Sequence, residues 1–201
     1  QKKGSAAFAV CGSFCTLDAA LAGLAVKRSL KPDEISLYIG IPFCPTRCAY
    51  CSFVSADVQK TLKLVEPYLD GLCREMAASA EYLRQAGLYI RTIYIGGGTP
   101  TTLTAPQLER LLTQVETCFD LSRLTEYTVE AWRPDTSTAD KMAVLMAHKV
   151  DRVSVNPQSM EDTVLEAMGR SHTAADILDA YAIVRQAGIP MDPHTKGAVV
   201  Y

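Results

Sequence analysis

Apolar, β-branched runs alternate with helical patterns along most of the chain. Short runs of apolar and β-branched residues predict strands, and apolar residues three or four positions apart predict amphipathic helices. The predicted strands are residues 35–41, 91–95, 126–131 and 152–155, and the predicted helices are residues 61–85, 105–119, 137–148, 160–168 and 174–187. Gly87 and Gly188 directly follow two of the helical patterns, as helix-terminating glycines do.

This alternation predicts the fold class. Strand–helix repeats make parallel sheets with right-handed crossovers, and four such units are visible, with room for a fifth strand from about Ile189. The pattern alone fits a doubly wound sheet and an open partial barrel equally well. Because the motifs described below all follow strand ends, they lie on one rim, as in α/β barrels. We therefore predict an α/β protein: a partial parallel (β/α) barrel, truncated after about the fourth or fifth strand.

The two ends of the chain differ from the middle. We interpret residues 1–33 as the remnant of an upstream helical segment, since Asp18 interrupts a small apolar stretch that otherwise imitates a signal peptide. Residues 34–201 are then the N-terminal part of the barrel, with an atypical tail at 189–201. No uninterrupted apolar run of about 20 residues predicts a membrane span. The net charge of −2 gives no reason to expect nucleic-acid binding.

Three of the seven cysteines form a tight cluster in the sequence. Cys44, Cys48 and Cys51 follow the first predicted strand at C-x3-C-x2-C spacing, so that one loop can supply three thiolates to a [4Fe–4S] cluster and leave one iron open. A zinc site usually needs four protein ligands in two pairs, whereas Cys73 and Cys118 are isolated. Clustered thiols also favour a reducing, cytoplasmic compartment.

The cysteine spacing resembles that of the radical S-adenosylmethionine (radical SAM) superfamily. Later motifs narrow the resemblance to the oxygen-independent coproporphyrinogen III oxidase-like family, also called coproporphyrinogen dehydrogenase-like. Residues 96–100 (GGGTP) match its glycine motif, residues 128–135 resemble its VEAGRPD segment, and residues 169–173 are similar to its GRxHT segment. With the strand end at residues 152–159, the similarity covers about residues 35–188.

The resemblance implies a role for individual residues. The cluster ligands are Cys44, Cys48 and Cys51. The residues implied to contact SAM on the cluster are Tyr38, Gly97 and Glu130. Those implied to line the SAM pocket or a second SAM site are Tyr50, Gly98, Thr99, Gln158 and Arg170, with Asp192 added if a short gap follows Gly188.

Several of these residues also have an ordinary structural interpretation. Glu130 could form a salt bridge at the rim, Arg170 could form a surface ion pair, and Tyr50 could simply pack beside the cysteines. His172 could orient Arg170 or cap the following helix, and by itself it is best interpreted as structural.

Two positions depart from the family pattern. Phe53 stands where established oxidases carry a fourth cysteine and where oxidase-like relatives, including haem chaperones and haem-degrading enzymes, often carry phenylalanine. Trp132 stands where the family has glycine, and the family pattern after Gly188 is missing. These departures leave the cluster in place but keep the reaction open.

The function implied by the resemblance is that of a radical SAM oxidoreductase with a [4Fe–4S] cluster and SAM. The expected reaction is oxidative decarboxylation of coproporphyrinogen III to protoporphyrinogen IX in anaerobic haem biosynthesis. The alternatives are a haem chaperone, another tetrapyrrole-acting radical SAM protein, or an inactive fragment. The expected partners are a tetrapyrrole substrate or haem and an electron donor such as flavodoxin or ferredoxin.

Overall fold

The structure, a computed structural model, describes residues 31–52, 56–131 and 133–189. Its main sheet has four parallel strands, hydrogen-bonded side by side in chain order. These strands are β1 (Glu34–Ile41), β4 (Tyr89–Gly97), β5 (Glu126–Glu130) and β6 (Arg152–Ser154). The short strands β2 (Phe43–Cys44) and β3 (Ala56–Asp57) form a separate parallel pair.

Helices follow the strands of the main sheet. They are α1 (Val58–Thr61), α2 (Val65–Ala86), α3 (Ala105–Cys118), α4 (Ala139–Ala147), α5 (Asp162–Ala167) and α6 (Ala174–Gln186). Single 3₁₀ turns lie at Leu62–Leu64, Pro100–Thr102 and Pro134–Thr136. Gly87 ends α2 in the left-handed conformation, with φ of 66°, as the sequence predicts.

Two predicted boundaries are wrong for identifiable reasons. The helix predicted from residue 61 begins instead at Val65, after a 3₁₀ turn. Pro67 lacks an N–H and its ring crowds the carbonyl four residues earlier, so a continuous helix through the preceding turn is disfavoured. The strand predicted to end at Ile95 continues to Gly97, because Gly96 and Gly97 pair with Gly40 and Ile41 of β1.

The strand order decides between the two folds that the pattern left open. A doubly wound sheet reverses its strand order at a switch point. Here each new strand of the main sheet is added on the same side as the last, from β1 to β6. This winding in a single direction is that of a (β/α) barrel, and the predicted partial barrel is confirmed.

The hydrophobic core lies between the helices and one face of the sheet. Ile39 and Ile93 are buried there against Leu111 and Leu145, which α3 and α4 contribute. On strands, successive side chains point to opposite faces, so the residues between these apolar positions lie on the other face. We call that second face the polar face; it comprises Ser36, Tyr38, Thr92, Tyr94, Thr128, Glu130 and Arg152.

The predicted domain boundary near residue 33 stays a prediction. The chain divides between Pro32 and Asp33, but residues 1–30, with the predicted upstream helix, lie outside the described part. The predicted fifth strand and the atypical tail fall on residues that are also outside it, except Ile189. In the ranges that are described, no helix has the length and apolar character needed to cross a membrane.

Candidate functional site

The three clustered cysteines lie at the carboxyl end of the sheet. Cys44 ends β2, and Cys48 and Cys51 follow in the loop, with the Cys51 amide donating to the Cys48 carbonyl at 3.2 Å. All three cysteines are partly buried. Burial raises the pKa of the Cys44 thiol, which the neighbouring Cys51 and Cys48 raise further, while Thr99 and Arg133 act to lower it. The fold therefore brings the predicted ligands close enough to interact electrostatically.

Three cysteines on one loop are a donor set that an iron–sulfur cluster takes, because each thiolate binds a different iron. Among the described residues, no group of three His, Cys, Asp or Glu side chains is placed to hold a metal ion. Cluster ligation by these three residues remains a prediction.

Gly98 and Thr99 of the glycine motif lie directly against Cys44. The Gly98 amide donates to the Ile41 carbonyl and the Thr99 amide to the Phe43 carbonyl, each at 2.8 Å. A Cβ at Gly98 would lie 2.6 Å from the Phe43 oxygen and 3.0 Å from the Cys44 sulfur, which is too close for any side chain. Thr99 itself is buried, and its hydroxyl lies 3.5 Å from the Cys44 sulfur.

Gly97 lies close to the backbone of Ile41. Its φ of 113° is a conformation that residues with side chains rarely adopt. A Cβ at this position would lie 3.0 Å from the backbone nitrogen and oxygen of Ile41. The predicted SAM contacts Gly97 and Gly98 are thus both positions where the backbone itself forms the surface of the site.

Glu130 ends β5 on the polar face and is only 5% exposed. Tyr94 donates a 2.5 Å hydrogen bond to Glu130 Oε1, and the ring of Tyr38 stacks on Tyr94 with centroids 6.0 Å apart. Burial raises the pKa of Glu130 to about 7, although the hydrogen bond from Tyr94 and the nearby Gly97 amide act to lower it. The other carboxyl oxygen, Oε2, is buried and has no hydrogen-bond partner among the described residues.

This second oxygen of Glu130 has the chemistry to accept a hydrogen bond from a ligand. A buried polar atom without a partner costs free energy that a donor from a ligand can recover. A carboxylate accepts from hydroxyl or ammonium groups, both of which SAM carries. The geometry therefore fits the predicted contact between Glu130 and SAM better than an ordinary salt bridge at the rim.

The loop that carries the cysteines is fastened to the segment between α5 and α6. The Ala49 amide donates to the Met168 carbonyl at 3.0 Å, and the Thr46 hydroxyl donates to the Gly169 carbonyl at 3.2 Å. Arg170 is buried and donates to the Tyr50 hydroxyl at 3.1 Å. We call these three hydrogen bonds the loop clasp. Tyr50 and Arg170 are thus placed together beside the cysteines, and their role in a SAM pocket stays a prediction.

Of the remaining predicted residues, Gln158 and His172 lie in the described part of the chain, near the site. Gln158 lies just after β6 on the same rim, half-buried, with a left-handed φ of 66° that is strained for a residue with a side chain. His172 is buried, and burial lowers its pKa. Thr173, rather than His172, caps α6. Phe53, Trp132 and Asp192 lie outside the described residues.

Sequence reasoning missed three residues that shape the site. Tyr94 positions the Glu130 carboxylate, and Gly96 leaves room for it, since a Cβ there would lie 3.0 Å from the carboxyl carbon. Arg133 donates to the Cys48 sulfur at 3.2 Å and also to the hydroxyl of Thr46. A signal existed for Arg133, since it belongs to a family-like motif directly after a strand, but its partner could not be derived from the motif.

A cavity of about 490 Å³ lies at the opposite end of the sheet. Its lining includes Leu83, Leu88, Ile90, Cys118 and Phe119, at the end of α2, the start of β4 and the end of α3. This places Cys118 away from the clustered thiols, in agreement with its isolation in the sequence.

Comparison with known proteins decides the family. The family model described as the Radical SAM superfamily matches residues 38–200. The chain belongs to the radical SAM superfamily. This radical SAM chain is 46% identical over 158 residues to the oxygen-independent coproporphyrinogen-III oxidase-like protein HemZ of Bacillus subtilis, an alignment that covers 78% of the chain and 32% of HemZ. It is 39% identical over 158 residues to the heme chaperone HemW of Lactococcus lactis, covering 79% of the chain and 39% of HemW.

Among solved structures, the coproporphyrinogen III oxidase HemN of Escherichia coli superimposes with a TM-score of 0.68 at 27% identity, over 87% of the chain and 39% of HemN. HemN is described as a radical SAM enzyme. The fold class and the resemblance to the oxidase-like family are both confirmed. The chain spans about a third of the length of HemZ and about two fifths of HemW and HemN.

Proposed function

We propose that this chain binds a [4Fe–4S] cluster through Cys44, Cys48 and Cys51 and SAM beside it. Membership in the radical SAM superfamily supports the proposal, as do the three partly buried cysteines gathered at one end of the sheet. When bound together, the cluster and SAM supply a 5′-deoxyadenosyl radical by one-electron cleavage of SAM. The observation that carries the proposal is the buried Glu130 carboxyl, whose Oε2 has no hydrogen-bond partner among the described residues.

The chain's own residues then bind and orient SAM. Glu130 Oε2 accepts a hydrogen bond from a ribose hydroxyl or the ammonium group. Tyr38, which is 51% exposed beside Tyr94, offers a ring at the same end of the polar face. Gly97 presents bare backbone. The residues that line the remainder of the pocket are Tyr50, Gly98, Thr99, Gln158 and Arg170.

The reaction that we propose is oxidative decarboxylation of coproporphyrinogen III to protoporphyrinogen IX. Each of two propionates gives a hydrogen atom to a 5′-deoxyadenosyl radical, loses CO2 and passes one electron to an external one-electron acceptor, and so becomes a vinyl group. Support comes from 46% identity to a protein named as oxidase-like and from the structural match to HemN. An external one-electron donor such as flavodoxin or ferredoxin would reduce the cluster, and a reducing cytoplasm would preserve it.

The test is anaerobic reconstitution of the chain with iron and sulfide, followed by reductant, SAM and coproporphyrinogen III. We expect 5′-deoxyadenosine and protoporphyrinogen to rise together. The matched variants are C48A, which should lose bound iron and both products, and C73A, which should retain them because Cys73 lies on α2 away from the cysteine loop. Iron binding that survives C48A but not C73A would contradict the assignment of the ligands.

A second function, haem chaperoning, is favoured by a specific observation. HemW of Lactococcus lactis, at 39% identity, is named a heme chaperone, and Phe53 stands where such relatives often carry phenylalanine. A chaperone would bind haem in a fixed ratio and yield no protoporphyrinogen. Deoxyadenosine without a porphyrin product, together with stoichiometric haem binding, would therefore favour this function over decarboxylation. A bound cluster with neither product nor haem would indicate an inactive fragment.

A further inference from the structure

Arg133 is a buried cation in direct contact with a predicted cluster ligand. Its side chain is 2% exposed, although it follows β5 and comes from a segment 85 positions beyond Cys48. Nη1 donates to the Cys48 sulfur at 3.2 Å, and Nη2 donates to the Thr46 hydroxyl. The guanidinium thus reaches between two residues of the cysteine loop.

The surroundings of Arg133 indicate where its balancing charge lies. A buried guanidinium is strongly destabilising unless a negative charge compensates it. The nearest carboxylate oxygen, Asp135 Oδ1, is 3.8 Å from Nε, which is too long for a hydrogen bond. Nε has no hydrogen-bond partner in the described part of the chain. Asp135 therefore provides a long ion pair, and the close contacts of the guanidinium are the Thr46 hydroxyl and the Cys48 sulfur.

We infer that Arg133 is a positioning residue that acts through the Cys48 sulfur to raise the reduction potential of the cluster. The inference rests on the cluster of the proposed function. Reduction adds one electron from an external donor, with no proton transferred and no bond broken, so the reduced cluster carries more negative charge. Hydrogen bonds to ligand sulfurs and nearby charge are established determinants of cluster potentials. A cation that donates directly to a ligand sulfur stabilises the reduced form more than the oxidised one.

Arg170 provides an internal comparison. It too is a buried arginine, and it donates to the hydroxyl of Tyr50 at 3.1 Å. Arg133 donates to the Cys48 sulfur itself, so it is the arginine to which we assign the effect on the potential.

The experiment measures the midpoint potential of the reconstituted chain without SAM, by dithionite titration monitored by electron paramagnetic resonance. R133M loses both the charge and the donor. At a fixed solution potential we expect its ratio of reduced to oxidised cluster to fall about tenfold, which corresponds to a midpoint potential lower by about 59 mV for a one-electron couple. R133K keeps the charge, but its single nitrogen cannot occupy the positions of both Nη1 and Nη2, and we expect a shift in the same direction of about threefold in that ratio.

A matched control separates this effect from loss of net charge. Arg123 lies near the amino end of β4, where it contacts Asp33 and the Tyr89 ring, and R123Q should leave the potential unchanged. The inference is overturned if R133M binds the same amount of iron with the wild-type potential, or if R123Q shifts the potential as much as R133M does. If R133M binds no cluster, R133K decides in the same way, since a wild-type potential in R133K overturns the inference.

The two proposals fail in different ways. A wild-type chain that takes up a cluster but forms no deoxyadenosine contradicts the proposed function, and the comparison of potentials among variants still stands. A wild-type chain that forms deoxyadenosine and shows no shift in R133M or R133K contradicts only the role of Arg133.

Discussion

Tyr94 and Glu130 share a 2.5 Å hydrogen bond in which the phenol donates to the carboxyl oxygen Oε1. The two residues come from neighbouring strands, β4 and β5, and both lie on the polar face. Burial and the adjacent Glu130 raise the pKa of Tyr94, so this residue remains a donor at any ordinary pH. The group that titrates near neutrality is therefore Glu130.

The first prediction concerns the pH dependence of stability. The pKa of Glu130 is raised from its ordinary value of 4.5 to about 7 in the folded chain, chiefly by burial. Between these two values the folded state binds more protons than the unfolded state, so the free energy of unfolding falls as pH rises through this window. We expect a loss of about 3 kcal/mol at most, measured by chemical denaturation of the metal-free chain at pH 4 and pH 8.

Two variants check the origin of this loss. E130Q cannot ionise, so its free energy of unfolding should fall between pH 4 and pH 8 by about 3 kcal/mol less than that of the wild type. Y94F removes a hydrogen bond that favours the carboxylate, so its free energy of unfolding should fall more than that of the wild type. Identical pH dependence in wild type and E130Q would mean that another group is responsible.

The sequence was sufficient for the strands and for the rim on which the site lies. The apolar runs placed all four strands of the main sheet to within a few residues, and the motifs after them placed Cys44 and Glu130 at strand ends. The choice between a doubly wound sheet and a barrel needed the strand order. That order depends on pairing between residues far apart in the chain, which the local pattern does not encode.

Side-chain partners could not be predicted for the same reason. Tyr94 pairs in register with Tyr38, so its place beside Glu130 follows only once the strands are aligned. The contact of Arg133 with Cys48 joins two loops, and it depends on the path of a long, flexible side chain. Pro67 did carry a local signal for the start of α2, and the helical periodicity around it masked that signal.

The second prediction separates two glycines of the same motif, Gly96 and Gly98. At Gly96 a Cβ would lie 3.0 Å from Glu130 Oε2, whereas at Gly98 it would lie 2.6 Å from the Phe43 carbonyl oxygen and 3.0 Å from the Cys44 sulfur. Because Glu130 belongs to the proposed SAM contact, G96A should weaken SAM binding about tenfold or more and leave bound iron unchanged. Because the Gly98 clash involves backbone next to a predicted ligand, G98A should reduce bound iron.

The control for these substitutions is G71A. Gly71 lies within α2, and the nearest atom to its added Cβ is Arg74 Nη2 at 3.9 Å, so this change should stabilise the chain by about 0.5–1 kcal/mol. Iron assays and equilibrium binding of SAM distinguish the three variants. Equal loss of iron in G96A and G98A would contradict the separate roles.

The third prediction concerns the ligand loop before any metal binds. Arg170 donates to the Tyr50 hydroxyl, and one residue earlier the Ala49 amide donates to Met168 at 3.0 Å. Y50F removes the acceptor, and a hydrogen bond of this kind is worth about 1 kcal/mol. If the loop clasp orders the loop, exchange of the Ala49 amide in the metal-free chain should become about fivefold faster, measured by hydrogen–deuterium exchange.

The matched control for this third prediction is Y82F, since Tyr82 on α2 is 68% exposed and should not affect the loop. A faster Ala49 amide in Y50F alone would show that the loop is organised for its ligand by the distant segment between α5 and α6. Unchanged exchange in Y50F would instead assign the order of the loop to its own turn, in which the Cys51 amide donates to Cys48. In that case Tyr50 would be free to serve the SAM pocket without a structural role, and the cost of replacing it would appear only in SAM binding.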